Sequence, residues 1–212
     1  MLVRPVIDHL LLGVSDLAYG IDWLEQRTGV RAAIGGVHPG RGTRNALVSL
    51  GSVCYLEIIA SDPAQAANEC WFPVHMLPEP RLITFAVRTA EIDRTAAALQ
   101  QISWSLIGPS EGARQTATGE LLRWKTLSVE SPFRSGAIDP VPFWIEWAPD
   151  TIHPATSAPV GCVLEELRCE HPRAEELGAA FREVGIAVQV TMGQQVRLLA
   201  LLQTPKGHLE LA

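Results

Sequence analysis

The chain has no C-x-x-C pair, no apolar run of the ~18–20 residues that a membrane helix needs, and no surplus of basic residues. The first absence removes zinc-ribbon and thioredoxin-type sites, whose ligands or redox thiols stand at that spacing. The second leaves no candidate spanning helix. With 17 Lys and Arg against 23 Asp and Glu, and a net charge of -6, the chain lacks the basic footprint of a nucleic-acid binder. H-E-x-x-H and G-x-G-x-x-G are also absent, so zincins and dinucleotide folds lose their signatures, and the serines lack a recognisable nucleophile context. Residues 1–15 carry one arginine and then an acid, Asp8, inside the first apolar run. That is no secretory signal, and the expected compartment is the cytoplasm. Cys54, Cys162 and Cys169 stand in apolar, strand-like runs and Cys70 precedes Trp71. They read as reduced, buried, small hydrophobes.

What is present is core-forming material in quantity. The 212 residues are 47% apolar and 19% charged, which rules out disorder over the whole chain and leaves room for one large domain or two small ones. The first apolar segment is Val6-Ile7-Asp8-His9-Leu10-Leu11-Leu12-Gly13-Val14. Ser15-Asp16 then offers a helix cap, Leu17, Ile21 and Leu24 share one helical face, and Gly29 ends the helix. A Gly-rich loop follows, and then two strands, 45–50 and 53–60, joined by the tight turn Gly51-Ser52. The same order returns twice. The second copy has strands at 82–88, 104–107, 121–129 and 142–147, with a helix capped by Thr89. The third has strands at 162–170, 186–190, 196–202 and 207–211, with Pro172 at the start of a helix that Gly185 ends. Each copy closes on an acid inside an apolar strand: Leu56-Glu57-Ile58, Ile145-Glu146-Trp147 and Leu209-Glu210-Leu211. The pattern is β-α-β-β-β three times, in units of about 1–62, 80–149 and 160–212, with connectors rich in Pro, Ala and Ser between them. Such a repeat decides the fold.

A β-α-β-β-β unit opened by Asp8-His9 and closed by Leu56-Glu57 resembles the vicinal oxygen chelate superfamily, which includes glyoxalase I, extradiol dioxygenases and antibiotic-resistance proteins. The segment His38-Pro39-Gly40-Arg41-Gly42-Thr43-Arg44-Asn45-Ala46-Leu47 is similar to the glyoxalase-like branch, whose members are mostly of unassigned function. The resemblance covers nearly the whole chain. It implies an α+β fold in which the mixed sheets of two units curl into a half-open barrel around a metal cup. In that cup the first strand of a unit supplies a His, Glu or Gln and the last strand a Glu. The metal then polarises a carbonyl or holds an enediolate. Imidazole and carboxylate ligands with open positions suit Zn, Fe(II), Mn or Ni.

If units one and two pair, the resemblance implies the ligands His9, Glu57 and Glu146, with Ile83 standing where the second unit's first-strand ligand would be. If units one and three pair, it implies His9, Glu57, Glu165 and Glu210. The bland reading of a lone strand histidine is a hydrogen-bonded structural residue, but three acids in corresponding apolar strands are costly to bury without a purpose.

The remaining candidates are weaker. The 38–45 loop carries His38, Arg41 and Asn45, which would orient a substrate, with Arg41 gripping an anion. By strict alternation Trp144 points the same way as Glu146 and would line the cup. Trp23 and Trp104 read as packing, and His75, His153, His171 and His208 as structural or solvated. Two functions follow. One is an enzyme performing metal-assisted isomerase, lyase or dioxygenase-type chemistry on a small oxygenated molecule, with Glu146 as third ligand or general base. The other is a metal-free protein that binds or sequesters a small ligand. An odd number of units leaves one without an internal partner, an arrangement a homodimer would complete.

Overall fold

The computed structural model describes residues 6–65, 73–102, 104–116 and 119–212; Cys70 and Trp71 lie outside them. The first unit consists of β1 (Val6–Gly13), α1 (Leu17–Thr28), β2 (Ala33–His38), β3 (Thr43–Ser49) and β4 (Tyr55–Ser61). The Asp16 side chain accepts from the Tyr19 amide at 2.8 Å and fixes the start of α1. Gly29, at φ 79°, ends it in a conformation that costs other residues strain. The second unit is β5 (Arg81–Arg88), α2 (Ile92–Gln101), β6 (Leu106–Gln115), β7 (Leu121–Val129) and β8 (Phe143–Trp147). After a short helix α3 (Pro154–Ser157), the third unit follows: β9 (Val163–His171), α4 (Ala174–Glu183), β10 (Gln189–Met192), β11 (Arg197–Thr204) and β12 (Gly207–Leu211).

Units one and two share a curled eight-stranded sheet of order β2-β3-β4-β1-β5-β8-β7-β6, and unit three forms a separate sheet of order β10-β9-β11-β12. At the centre β1 runs antiparallel to β5, while each first strand lies parallel to the last strand of its own unit, β1 beside β4 and β5 beside β8. The pairing of unit one with unit three is therefore not the one the chain adopts. Glu165 and Glu210 stand on the third unit's own sheet, in surface ion pairs with His208 and Arg168, far from any shared cup.

Alternation along the central strands divides the molecule. One set of side chains, among them Leu10, Leu12, Leu56, Ile58, Phe85 and Val87, joins residues of α1, α2, α4 and the third unit's sheet in one continuous core. Leu10, Leu12, Leu56 and Ile58 have no exposed surface, and each buried aliphatic chain contributes roughly 1.5–3 kcal/mol. The other set, with Leu11, Ile59, Ile83, Ala86, Phe143 and Ile145, forms a smaller cluster on the inner face of the curl. The helices and the third unit thus back the sheet from outside and leave its inner face to a cup.

The curl brings the edge strands β2 and β6 together. Arg114 Nη1 on β6 donates to Gly35 O on β2 at 2.7 Å. Gly36 has φ 154°, and a Cβ there would lie 2.7 Å from the Gln115 carbonyl oxygen, so the closure needs glycine at that point. Of the glycines read as a loop, Gly35 and Gly36 are therefore strand residues, while Gly40 and Gly42 lie in a turn. The 38–45 segment is the end of a hairpin: His38 closes β2, residues 39–42 make the turn, and Thr43 to Asn45 open β3. Strand β6 extends well beyond the 104–107 expected from sequence, to Gln115.

Candidate functional site

The site begins with an irregularity in β1. Pairing with β5 runs Ile7 to Val87 and then His9 to Ala86, so Asp8 is the extra residue of a bulge. The bulge lets two consecutive side chains interact: Asp8 Oδ1 meets His9 Nδ1 at 2.8 Å. Asp8 is wholly buried and collects three further donors. Arg88 Nε lies 2.7 Å from Oδ2, His153 Nε2 3.1 Å from it, and Trp147 Nε1 3.1 Å from it. Burial alone would raise the Asp8 carboxyl, but its bonds to His153 and His9 win and hold it well below the usual carboxylate range. An ionised Asp8 accepts only, so His9 carries its proton on Nδ1 and presents Nε2 to the cup. The ring is held flat on Tyr55, with centroids 4.5 Å apart, and against the edge of Phe143 at 5.5 Å.

Glu57 faces that nitrogen. It lies beside Leu11 in the β1–β4 register, and its Oε2 is 3.5 Å from His9 Nε2. Asn45 on β3 donates Nδ2 to Glu57 Oε1 at 2.9 Å. The same amide nitrogen is 3.3 Å from His38 Nε2, and His38 Nδ1 is 2.9 Å from Thr43 Oγ1. These bonds have one consistent polarity: Asn45 donates to both Glu57 and His38, so His38 is neutral at Nε2 and donates through Nδ1 to Thr43. Among the described residues, Asn45 Oδ1 is left buried with no partner. That loss, worth about 1–3 kcal/mol, is the cost of aiming both amide hydrogens at the site. Burial would raise the Glu57 carboxyl, but His38, His9, Asn45 and Arg114 bring it below its ordinary value. Burial lowers His38 against the pull of Glu57, helped by Arg114 and Arg41.

The cup has a volume of about 200 Å³. Its polar floor is His9, Glu57, Asn45 and Thr43 from unit one. Its wall is Trp124, Phe143, Ile145 and Trp147 from unit two, with Arg114 at the closure of the curl and Arg41 at the hairpin turn. A cavity of roughly 150 Å³ admits benzene, so this one suits a molecule of ring size.

Of the residues singled out in the sequence, His9, Glu57, His38 and Asn45 come together, and Arg41 lines the same cup. Glu146 and Trp144 do not. They do share a face, but it is the outer one. Trp144 packs edge-to-face on Trp104 in the main core, and Glu146 Oε2 accepts the Ile92 amide at 2.6 Å at the start of α2, where a carboxylate suits the helix terminus. On β8 it is Phe143, Ile145 and Trp147 that face inward. His153, read as structural or solvated, is structural: it holds Asp8. Asp8 and Arg114 are the main polar residues that sequence reasoning missed. The signal for Asp8 was available: two adjacent polar residues in an otherwise apolar strand suggest a bulge. Nothing in the local sequence marked Arg114.

The metal set implied by resemblance does not fit these residues. Directly across from His9 stands Ala86, Ile83 on the same face is also apolar, and Glu146 is on the far side of the sheet. Among the described residues no three His, Cys, Asp or Glu side chains are arranged to hold a metal ion. No helix among them is long and apolar enough to cross a membrane.

Two β-α-β-β-β units sharing a curled sheet, with a histidine on the first strand and a glutamate on the last facing one cup, define a protein of the vicinal oxygen chelate fold. The model of the glyoxalase-like domain family matches residues 7–185, and the chain belongs to that family. Among solved structures, a hypothetical protein from Staphylococcus aureus is 16% identical, with a TM-score of 0.68, covering 96% of this chain and 84% of that one. A Streptomyces coelicolor methylmalonyl-CoA epimerase variant, in complex with 2-nitronate-propionyl-CoA, is 17% identical with a TM-score of 0.50, over 71% of this chain and 99% of that one. Methylmalonyl-CoA epimerase from Mycobacterium tuberculosis is 20% identical with a TM-score of 0.48, over 70% and 94%. At these identities the likeness is one of fold. No curated protein matches the chain.

Proposed function

We propose that the chain is an enzyme of the isomerase or lyase type that moves a proton on a small oxygenated molecule held in the cup. The line Asp8–His9–Glu57 supports this reading. A carboxylate that accepts only, at 2.8 Å from His9 Nδ1, sets the tautomer that leaves Nε2 as a base, and a second carboxylate stands 3.5 Å beyond it. His9 Nε2 takes the proton from the carbon beside a carbonyl. Glu57 stabilises the positive charge that develops on the imidazole and offers a second seat for the proton, while Asn45 occupies its other oxygen. Return of the proton to a different atom completes an isomerisation; loss of a leaving group completes an elimination. A positioned base of this kind supplies typically 10²–10⁴ in rate.

The test is deuterium exchange. Pyruvate, 2-oxobutanoate, phenylpyruvate and dihydroxyacetone are each incubated with the protein in deuterated water and followed by proton NMR. Enzyme-dependent loss of the signal beside the carbonyl, abolished in a folded His9→Gln protein, is the expected result. If no compound exchanges while several raise the melting temperature, the chain is a binding protein and the catalytic reading fails.

A further inference from the structure

We infer that Arg114 is the residue that selects the substrate class, and that this class is small monocarboxylates with a flat, apolar tail. The inference rests on the cup being the site of action and goes beyond it by naming what the cup takes. Its basis is a buried charge that forms no ion pair among the described residues. Arg114 is 5% exposed, and buried guanidinium groups in folded proteins are paired, because an isolated charge in a low-dielectric interior is costly. Among the described residues its side-chain hydrogen bond goes to a neutral carbonyl, Gly35 O at 2.7 Å. Glu57, the buried carboxylate of the cup, senses Arg114 but is held by Asn45 and faces the two histidines instead.

Using Nη1 on Gly35 fixes the guanidinium in place and leaves its remaining donors for a ligand. A planar fork held this way matches the two oxygens of a carboxylate, which a point charge would not. The other charges on the cup are Arg41 at the hairpin turn and Glu111, exposed at the rim of β6. Neither is buried as Arg114 is.

The tail follows from the wall. Gly112 stands opposite Trp124 in the β6–β7 register, and a Cβ there would come within 2.5 Å of the indole. The glycine therefore lets the Trp124 ring lie down over β6. Trp124 and Trp147 meet edge-to-face at 5.7 Å, and with Phe143 they enclose a space suited to a ring or a short branched chain. Arg114 and this wall line the same cup as His9 and Glu57, so a carboxylate on Arg114 with its tail along the wall shares the cup with the proposed base.

The experiment measures binding and exchange separately. Benzoate, phenylacetate, phenylpyruvate and 4-methyl-2-oxopentanoate are tested by thermal shift and calorimetry, and benzoate and phenylacetate against benzamide and phenylacetamide. At least one acid should raise the melting temperature where its amide does not, since a ligand stabilises in proportion to its affinity for the native state. Arg114→Gln should weaken that acid 10- to 100-fold and leave weak amide binding unchanged. Because Arg114 also closes the curl, Arg114→Lys is run beside it: it keeps the charge, loses the fork, and should recover only part of the affinity. Acids and amides binding alike, no acid binding at all, or a folded Arg114→Gln protein binding the acid as wild type does would each overturn the inference. His9→Gln should abolish exchange but not acid binding. Exchange lost with Arg114-dependent binding kept leaves this inference standing whatever the chemistry; Arg114-independent binding with exchange intact overturns it and spares the catalytic reading.

Discussion

Replacing Asp8 by Asn tests the foundation of the site. The carboxylate is wholly buried and accepts from His9 Nδ1 at 2.8 Å, Arg88 Nε at 2.7 Å, His153 Nε2 at 3.1 Å and Trp147 Nε1 at 3.1 Å. Asparagine keeps one acceptor oxygen and replaces the other with a donor. Whichever way it turns, an NH₂ group then faces a donor, and at least one of the four partners is stranded. Hydrogen bonds to charged groups contribute roughly 1.5–3 kcal/mol each, and removing one partner of a buried charge pair costs about 3–5 kcal/mol. Arg88 is one-third exposed and recovers some hydration, so the loss expected is about 3–5 kcal/mol in all. At ~2–4 °C per kcal/mol for a chain of this length, the melting temperature should fall by roughly 6–20 °C.

The pH dependence gives the same substitution a second signature. The Asp8 carboxyl is held well below its ordinary 3.8 in the folded protein. Its contribution is therefore complete above about pH 4 to 5 and declines as the pH falls through the folded value, because the unfolded chain then binds the proton first. Each pH unit below about 4 should remove up to ~1.4 kcal/mol of the wild-type lead. Circular dichroism melts of both proteins from pH 7.5 to pH 3 measure this. A difference under 2 °C at neutral pH, or one that does not narrow below pH 4, would show that the four bonds to Asp8 do not stabilise the fold.

Two further results are expected. His38 is lowered from 6.5 by burial, so between pH 6.5 and its folded value the unfolded chain takes up a proton that the native state refuses, and wild-type stability should fall on acidification from pH 7 to 5. His38→Gln should flatten that slope by up to ~1.4 kcal/mol per pH unit; equal slopes in denaturant titrations would refute it. Glu57 lies below its ordinary 4.5, so its charge stabilises the fold above that pH. Glu57→Gln should cost roughly 1–3 kcal/mol at pH 7, and neither protein should gain melting temperature from added Zn, Mn, Ni or Fe(II). A rise confined to wild type would mean that Glu57 binds the ion after all.

Much of the architecture was legible because each unit advertises itself. Asp16 and Gly29 bracket α1, apolar runs mark β1 and β4, and β7 and β12 occupy the residues expected of them. Strand β6 was hidden. It is an edge strand with solvent on one side and a polar cup on the other, so Gly112, Arg114 and Gln115 carry no alternating apolar signal. In the site, His9 and Glu57 were visible because polar groups in apolar strands are costly. Glu146 was misplaced by the same rule. A closing acid recurs in each unit, but recurrence in sequence does not fix the pleat. The β5–β8 register pairs Ala86 with Phe143 and Arg88 with Ile145, which turns Glu146 outward to the start of α2. Alternation makes a single-residue difference decisive.

The two halves of the sheet repeat each other in backbone and not in chemistry, and β1 against β5 shows why that is workable. Facing residues on paired strands bring their Cβ atoms to about 4.5–5.5 Å. A second ligand opposite His9 would crowd two polar groups together, an arrangement that a bound cation stabilises and an empty cup does not. This chain places Ala86 there. The methyl group leaves space beside the imidazole, and within unit one Asp8 holds His9 while Asn45 holds Glu57 and His38. Unit two carries no ligand opposite His9 and instead lines the cup with an indole laid back over Gly112, the rings of Phe143 and Trp147, and one buried guanidinium. If the chemistry is drawn from one repeat and recognition from the other, as proposed, substrate preference should respond to changes at Gly112, Arg114 and Trp124 on β6 and β7 while Asp8, His9 and Glu57 remain as they are.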